Sequence, residues 1–512
     1  MSLPPITNLF VLVLENRAFD HMLGFSGITG TDAVSGLGTS INGLLGTESN
    51  SFNGATFTVS KPAEFSMTVG PGHEFPDALE QLSGARARYP PGGPYPKIDN
   101  SGYVADFVAS GGQANPGDIM KCYDPSQLPV LVALANEFAV CDNWFSSMPG
   151  PTWPNRFFTL AASSGGLDHS PTVREMIQWE SVDGYRFQNG SIFDQPGLSF
   201  WRIYAGGDLA IAQALKGITV FDITSYSRFA NDISLPSYPY QFTYIEPNYG
   251  HVLTDYKGGA SQHPLDDVTS GEALIKQTYE AIRNSPHWNS SMLIITWDEH
   301  GGFYDHATPP PAIAPGDSPQ VASVNQFGFD FKQYGARVPG VVVSPLIPHN
   351  AIDHRLYDHA SIPATAELLF GLNAMTQRDA KANNLVALAS LPTPRNTPTT
   401  LPNPAVGLAA PRMMVTSTLE LPGPPPTHPL ASVEQDRNIP GFLLVAMRSD
   451  LDLSPPAQRP AIIARVQSIQ TRAEAHKYIE EVRPKIYAAR AAAAAASKYE
   501  TTLRRAHNAR TR

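Results

Sequence analysis

The sequence predicts an α/β fold: a doubly wound, mostly parallel sheet with helices on both faces, followed by a C-terminal helical extension. Three observations predict it. Short all-apolar, β-branched runs bounded by polar turns recur along the first two thirds of the chain, as in strands buried on both faces. Helix-compatible stretches lie between them, the alternation that builds parallel sheets. The 512 residues are 42% hydrophobic, enough for one large core with additions or for roughly three or four domain-sized units.

The strand candidates, in order, are Leu9–Leu14, Phe138–Cys141, Gln241–Ile245, Met292–Thr296 and Val338–Val343. Helices are predicted over Asn155–Ala162, Gly271–Arg283 and Ile362–Phe370. The last has Pro363 in its first turn and Gly371 just past its end, the asymmetry that helix caps prefer. Residues 22–70, rich in Gly, Ser, Thr and Asn, and the mixed stretch 170–240 read as insertions in a body spanning 1–391. Residues 392–430 (PTPRNTPTTLPNP, LPGPPPTHP) read as a Pro-rich linker. Residues 431–512 read as a basic, mostly helical region. Ile462, Ile463, Val466 and Ile469 form an apolar stripe there, and Ala491–Ala496 favours helix.

Charged residues make up 16% and the net charge is −10, which argues against broad nucleic-acid binding. Residues 455–512 carry 12 Lys+Arg and 4 Asp+Glu, a net +8, which leaves −18 for the acidic body. Two cysteines, Cys122 and Cys141, are too few for a disulfide scaffold, and their pairing stays open. No apolar run reaches the ~18 residues of a membrane span. MSLPPITN lacks a basic region and a small-residue cleavage site. As written, the chain is expected in the cytoplasm, or exported with its signal removed.

In doubly wound sheets ligands sit beyond the carboxyl ends of strands. Glu15 and Asn16 follow the first strand, within ENRAFDH. Asp298 and Glu299 follow another, within TWDEHGGFYDH. Were the two strands neighbours, three carboxylates would converge without a lysine, and a divalent cation would relieve the repulsion. The alternative is that the acids cap helices or pair with Arg17. Thr152, in MPGPTWPNRFF, is placed as an N-cap with Pro154 in the first turn. Its hydroxyl is then either a plain cap or a metal-activated nucleophile beside a phosphate. Arg156 would hold that phosphate or form an internal ion pair. Among 14 histidines, His73 (GPGHE) and His263 (SQHPLDD) stand out, since no apolar pattern explains their loops. His306 and His359 each follow an aspartate that would orient the ring.

ENRAFDH, GPGHE, PGPTWPNR, QHPLDD and DEHGGFYDH occur in the order seen in the bacterial and plant phospholipase C / acid phosphatase phosphoesterase family, which the chain resembles over roughly residues 5–375. That family belongs to the alkaline phosphatase superfamily, so the resemblance implies an alkaline-phosphatase-like fold. It also implies that Glu15, Asn16, Thr152, Asp298 and Glu299 are metal ligands and that Thr152 is the nucleophile. His73 and His263 would surround the phosphate, and Arg156 and His359 would contact substrate. Many family members have Ser where this chain has Ala18.

The leading expectation is therefore a metal-dependent phosphoesterase of the phospholipase C type, working through a phosphothreonine on Thr152. An acid phosphatase acting on monoesters with the same site is the alternative. A third reading is a noncatalytic protein whose basic C-terminal region docks on a membrane or a partner. The substrate would be a phospholipid or a small phosphate ester, with peripheral membrane contact and no nucleic acid. Oxygen-rich ligands suit Ca²⁺, Mg²⁺ or Mn²⁺, with Zn²⁺ a further option. Trp144, Trp153, Trp201, Tyr204 and Tyr249 would either cage a choline or fill the core.

Overall fold

The structure is a computed structural model that describes residues 3–172, 175, 183–252, 254–319, 322–406 and 438–510. Its strands are β1 (Asn8–Leu14), β2 (Thr29–Asp32), β3 (Gly38–Ser40), β4 (Ser49–Phe52), β5 (Ala55–Thr58) and β6 (Ala139–Cys141). They continue as β7 (Trp201–Ala205), β8 (Ile223–Ser225), β9 (Phe242–Glu246), β10 (Ser291–Trp297), β11 (Gly340–Val343) and β12 (Ala351–Asp353). The helices begin with α1 (Phe19–Leu23), α2 (Phe75–Ser83), α3 (Tyr103–Ala109), α4 (Pro129–Glu137), α5 (Thr152–Ala161) and α6 (Phe229–Ile233). They end with α7 (Val268–Arg283), α8 (Ser361–Phe370), α9 (Ile439–Leu453), α10 (Arg459–Gln467) and α11 (Arg472–Arg510).

One sheet runs in the order β3-β2-β12-β6-β11-β10-β1-β9-β7-β8, and β4 and β5 form a separate hairpin. All strands of the large sheet except β3 and β11 point the same way. β1 lies between β9 and β10 and is buried along its whole length. A strand with parallel partners on both sides must be apolar on both faces, as NLFVLVL is. Each fully buried Leu, Val or Phe of this kind contributes about 1.5–3 kcal/mol.

Val338–Val343, expected as a parallel strand, is antiparallel to both β10 and β6. The reason is local. Between β10 and β11 the described residues form no α-helix, only a single 3-10 turn, so the chain re-enters the sheet at the end where it left. The stretches read as insertions also supply strands. β2 and β3 extend one edge of the sheet, and β7 and β8 extend the other. These strands are short, and TGTD and GTS lack the apolar run that marks a central strand.

The C-terminal helices pack on the body. α9 is buried from Ile439 to Leu451, and Phe442 meets the rings of Trp153 and Tyr249 at 5.5 and 5.2 Å. Arg448 donates to the carbonyls of Ala214 and Ile218. Arg483 pairs with Asp208, and Arg490 donates to the carbonyls of Gly207 and Asp208. Part of the basic charge of the tail is thus placed against the acidic body. Val466 and Ile469 of the predicted stripe are buried, and Ile462 and Ile463 are half-buried. Most of the predicted Pro-rich linker, 407–430, lies outside the described residues, as do parts of 170–240 and 431–437. Cys122 and Cys141 are buried and unpaired. No helix among the described residues is long and apolar enough to cross a membrane.

Candidate active site

Register places the two polar pairs that follow β1 and β10 side by side. Leu14 is opposite Trp297 in the β1–β10 ladder, so Glu15–Asn16 and Asp298–Glu299 leave the sheet together. Asn16 takes a left-handed backbone with φ 56°, which asparagine tolerates better than most residues. Its amide donates to Asp298 Oδ1 at 2.9 Å, and the Glu299 amide donates to the same oxygen at 2.8 Å. Glycine is required just beyond. Gly301 and Gly302 have φ 66° and 75°, and a Cβ on Gly301 would stand 2.1 Å from the Asn16 carbonyl oxygen.

α5 brings the third segment. Pro151, not Thr152, is the N-cap, and Thr152 is the first helical residue. The chain enters the helix extended at Pro151, which moves the predicted cap back by one residue. Thr152 still faces the positive end of a ten-residue helix. Its Oγ1 lies 3.5 Å from Asn16 Oδ1. Asn155 shapes the preceding loop, its Nδ2 donating to the carbonyls of Met148, Gly150 and Pro151. Arg156, expected to contact substrate, is fully buried. It donates from Nε to Asp298 Oδ2 at 2.9 Å and from Nη2 to the carbonyls of Val13 and Leu14. These bonds tie α5 to the ends of β1 and β10.

The histidines divide in the same way. His73 Nδ1 is 3.0 Å from Glu299 Oε1 and 3.3 Å from Asn16 Nδ2. His263 lies face to face on Tyr256 at 3.9 Å, and its Nδ1 accepts the Leu265 amide. Its loop is held by Arg17, which is buried and donates to the carbonyls of Gln262 and His263. Arg17 is therefore neither at the surface nor paired with the site acids. His359, also expected against substrate, has both ring nitrogens engaged. Nε2 donates to the Asp298 carbonyl at 2.6 Å, and Nδ1 accepts from Trp144 Nε1 at 3.3 Å. It braces Asp298 from behind.

The electrostatics are those of a crowded acidic site. Burial pushes Glu15 up to about 8, with Arg156 opposing and Asp298 adding to the rise. Burial raises Asp298 to about 6 against the pull of Arg156. Burial would raise Glu299 too, but His73 and His300 outweigh it and hold the carboxyl at about 2. Burial would lower His73, but Glu299 carries it up to about 10. Burial, reinforced by His73 and Arg17, lowers His263 well below the usual histidine range. Burial lowers His359 to about 4.

The donor set fits a hard divalent cation. Glu15 Oε2 is buried without a hydrogen-bond partner, and Glu299 Oε1 faces His73 without hydrogen-bond alignment. Buried oxygens left in this state cost free energy unless something positive meets them. Glu15, Asn16, Glu299 and Thr152 offer oxygen to an ion placed there, with Asp298 adjoining.

A different acidic group looks more compact. Asp20, Asp305 and His306 hold ligand atoms within 4.8 Å of one another. Arg337, however, donates to Asp20 Oδ1 at 3.0 Å and to Asp305 Oδ1 at 2.8 Å. A buried cation of the chain is thus already paired with both carboxylates of that cluster. The Asp and His of ENRAFDH and FYDH were visible in the sequence, but Arg337, some thirty positions later, carried no signal of its own. Nor did the aromatics form a cage. Trp144 and Trp153 are fully buried, Trp201 packs beside Phe193, Tyr204 bonds Asp232, and Tyr249 lies under Arg156.

Residues 6–373 match the model of the Phosphoesterase family. Non-specific phospholipase C6 of Arabidopsis thaliana is 35% identical over 429 residues, 78% of this chain and 76% of the relative. Non-specific phospholipase C3 of the same plant is 34% identical, covering 78% and 77%. Phospholipase C B of Mycobacterium tuberculosis is 27% identical, covering 77% and 79%.

Proposed function

The chain belongs to the phosphoesterase family, a hydrolase of phosphoric ester bonds, and from that premise we propose that it is a metal-dependent phospholipase C with Thr152 as nucleophile. One observation carries the reading. The Thr152 hydroxyl stands in the first turn of α5, 3.5 Å from Asn16 Oδ1 and beside a buried acidic cluster with an unsatisfied oxygen. The names of the relatives favour a phospholipid diester over a monoester.

Thr152 Oγ, its proton passing to solvent water, attacks phosphorus in line, and the ester bond to the lipid alkoxide breaks. A bound divalent ion would favour the threonine alkoxide and offset charge on the nonbridging oxygens. The positive end of α5, whose first residue is Thr152, would add to that field. His73, held at Nδ1 by Glu299, presents Nε2 to protonate the departing alkoxide. His263, accepting at Nδ1 from the backbone, carries its proton on Nε2 and donates to a phosphoryl oxygen. Water then cleaves the threonine–phosphorus bond and frees the phosphorylated headgroup. Arg156 and His359 hold Asp298 in place, and Arg156 Nη1, buried without a partner, is left to meet a phosphoryl oxygen.

The test is a comparison of soluble esters in the metal-loaded protein. The p-nitrophenyl ester of phosphorylcholine should be cleaved with kcat/KM at least about tenfold above that of p-nitrophenyl phosphate. The reverse order would favour an acid phosphatase on the same site. Brief exposure followed by acid quench and peptide mass spectrometry should find the phosphorylcholine adduct on Thr152.

A further inference from the structure

Gln81 sits on the inner face of α2 and is fully buried. Its single amide meets three elements. Nε2 donates to the Gly72 carbonyl at 2.7 Å and to Asp106 Oδ2 at 2.6 Å. The Gly72 carbonyl cannot donate, so the nitrogen must face it, and Oε1 must face His300. His300 Nε2 donates to Oε1 at 2.6 Å. The other ring nitrogen, Nδ1, stands 3.3 Å from Glu299 Oε2. Gly72 immediately precedes His73, and His300 immediately follows Glu299. The packing around the amide is close: a Cβ on Gly302 would lie 2.4 Å from the Gly72 oxygen and 3.2 Å from Gln81 Nε2.

We propose that Gln81 is a positioning residue for the hydrolysis. By joining the Gly72 carbonyl to His300, it sets the separation of His73 from Glu299. The argument rests on the site reading given above, in which those two residues serve the leaving group and the cation. Two loops far apart in sequence, 70–73 and 299–302, come from different parts of the fold. Besides the His73–Glu299 contact itself, the Gln81 amide is a polar bridge that spans them. Partners of this second layer orient ligands and, when removed, typically cost 10–100-fold in metal affinity or activity.

The experiment uses the full-length chain. Gln81→Met keeps the volume and the helix while deleting all three hydrogen bonds. Its kcat on a soluble phosphorylcholine ester should fall about tenfold or more, with KM within about twofold. Mn²⁺ affinity, read by calorimetry on the stripped protein, should weaken about tenfold or more. Gln81→Glu keeps the acceptor for His300 but puts an acceptor against the Gly72 carbonyl, a loss that Asp106→Asn, which only relieves the new carboxylate pair, does not repair. Both Gln81→Glu alone and Gln81→Glu with Asp106→Asn should therefore lose kcat and Mn²⁺ affinity about tenfold or more. Gln81→Met with wild-type kcat and Mn²⁺ affinity would overturn the role. So would a double variant with wild-type kcat, and this arm decides if Gln81→Met does not fold. Inactive wild-type protein would overturn the phospholipase reading together with this role, whereas active wild type with an equally active Gln81→Met overturns the role alone.

Discussion

Arg156 Nε lies 2.9 Å from Asp298 Oδ2, with both side chains fully shielded from solvent. The pair binds the helix that carries Thr152 to the strand end that carries two carboxylates. Breaking one partner of a buried ion pair leaves an uncompensated charge and costs about 3–5 kcal/mol. Arg156→Met should therefore lower the denaturant midpoint and reduce turnover together, with Asp298→Asn in the same background regaining part of the stability. Equal midpoints for Arg156→Met and wild type would show that the pair holds nothing.

The acidic cluster predicts dependence on a divalent ion. Chelation should abolish turnover, and adding back Ca²⁺, Mg²⁺, Mn²⁺ or Zn²⁺ one at a time identifies the ion that restores it. An ion bound only by the folded protein stabilises it by about 2.7 kcal/mol at a hundredfold excess over Kd. Calorimetric melting should show that rise, and Glu15→Gln should remove it. Full turnover after exhaustive chelation would contradict the cation.

The alkaline limb of stability has a named contributor. His169 lies between Asp168 and Glu175, 3.0 Å from each. Burial would lower it, but bonds to those carboxylates raise it to about 9. Since the folded value exceeds the unfolded one near 6.5, its contribution is complete below that pH and is lost as pH rises through about 9. Melting temperatures should fall between about pH 7 and pH 10, by the equivalent of about 1–3 kcal/mol. His169→Gln should flatten that part of the curve; an unchanged slope would remove His169 as its source.

The C-terminal helices are expected to be inseparable from the body. Phe442 packs on Trp153, the neighbour of Thr152. Truncation before Ile439 exposes that core, so the shortened chain should be insoluble or inactive on soluble esters as well as on vesicles. A stable, fully active truncation would revive a separate docking role for the basic tail.

Much of this was legible before any coordinates. The β1 and β10 runs announce central strands because a strand covered on both faces has no room for polar alternation. The meeting of Glu15–Asn16 with Asp298–Glu299 follows directly, since Glu15 and Asp298 each occupy the step beyond a strand's carboxyl end. What stayed hidden depends on partners fixed only by tertiary structure. Arg156 and His359 have the right chemistry for a phosphate, yet the fold buries both against Asp298. Gln81 looks like any polar residue of an amphipathic helix until α2 is seen facing inward at that point. The edge strands β2 and β3 were missed because they pack too little apolar surface to show a pattern.

The most direct measurement is the turnover of Thr152→Ala, a change of one buried side chain at the start of α5. With the ion bound and the circular dichroism spectrum unaltered, kcat on the phosphorylcholine ester should drop by roughly 10³-fold or more. Turnover within about tenfold of wild type would mean that another group attacks phosphorus, and the threonine would lose its place at the centre of the chemistry.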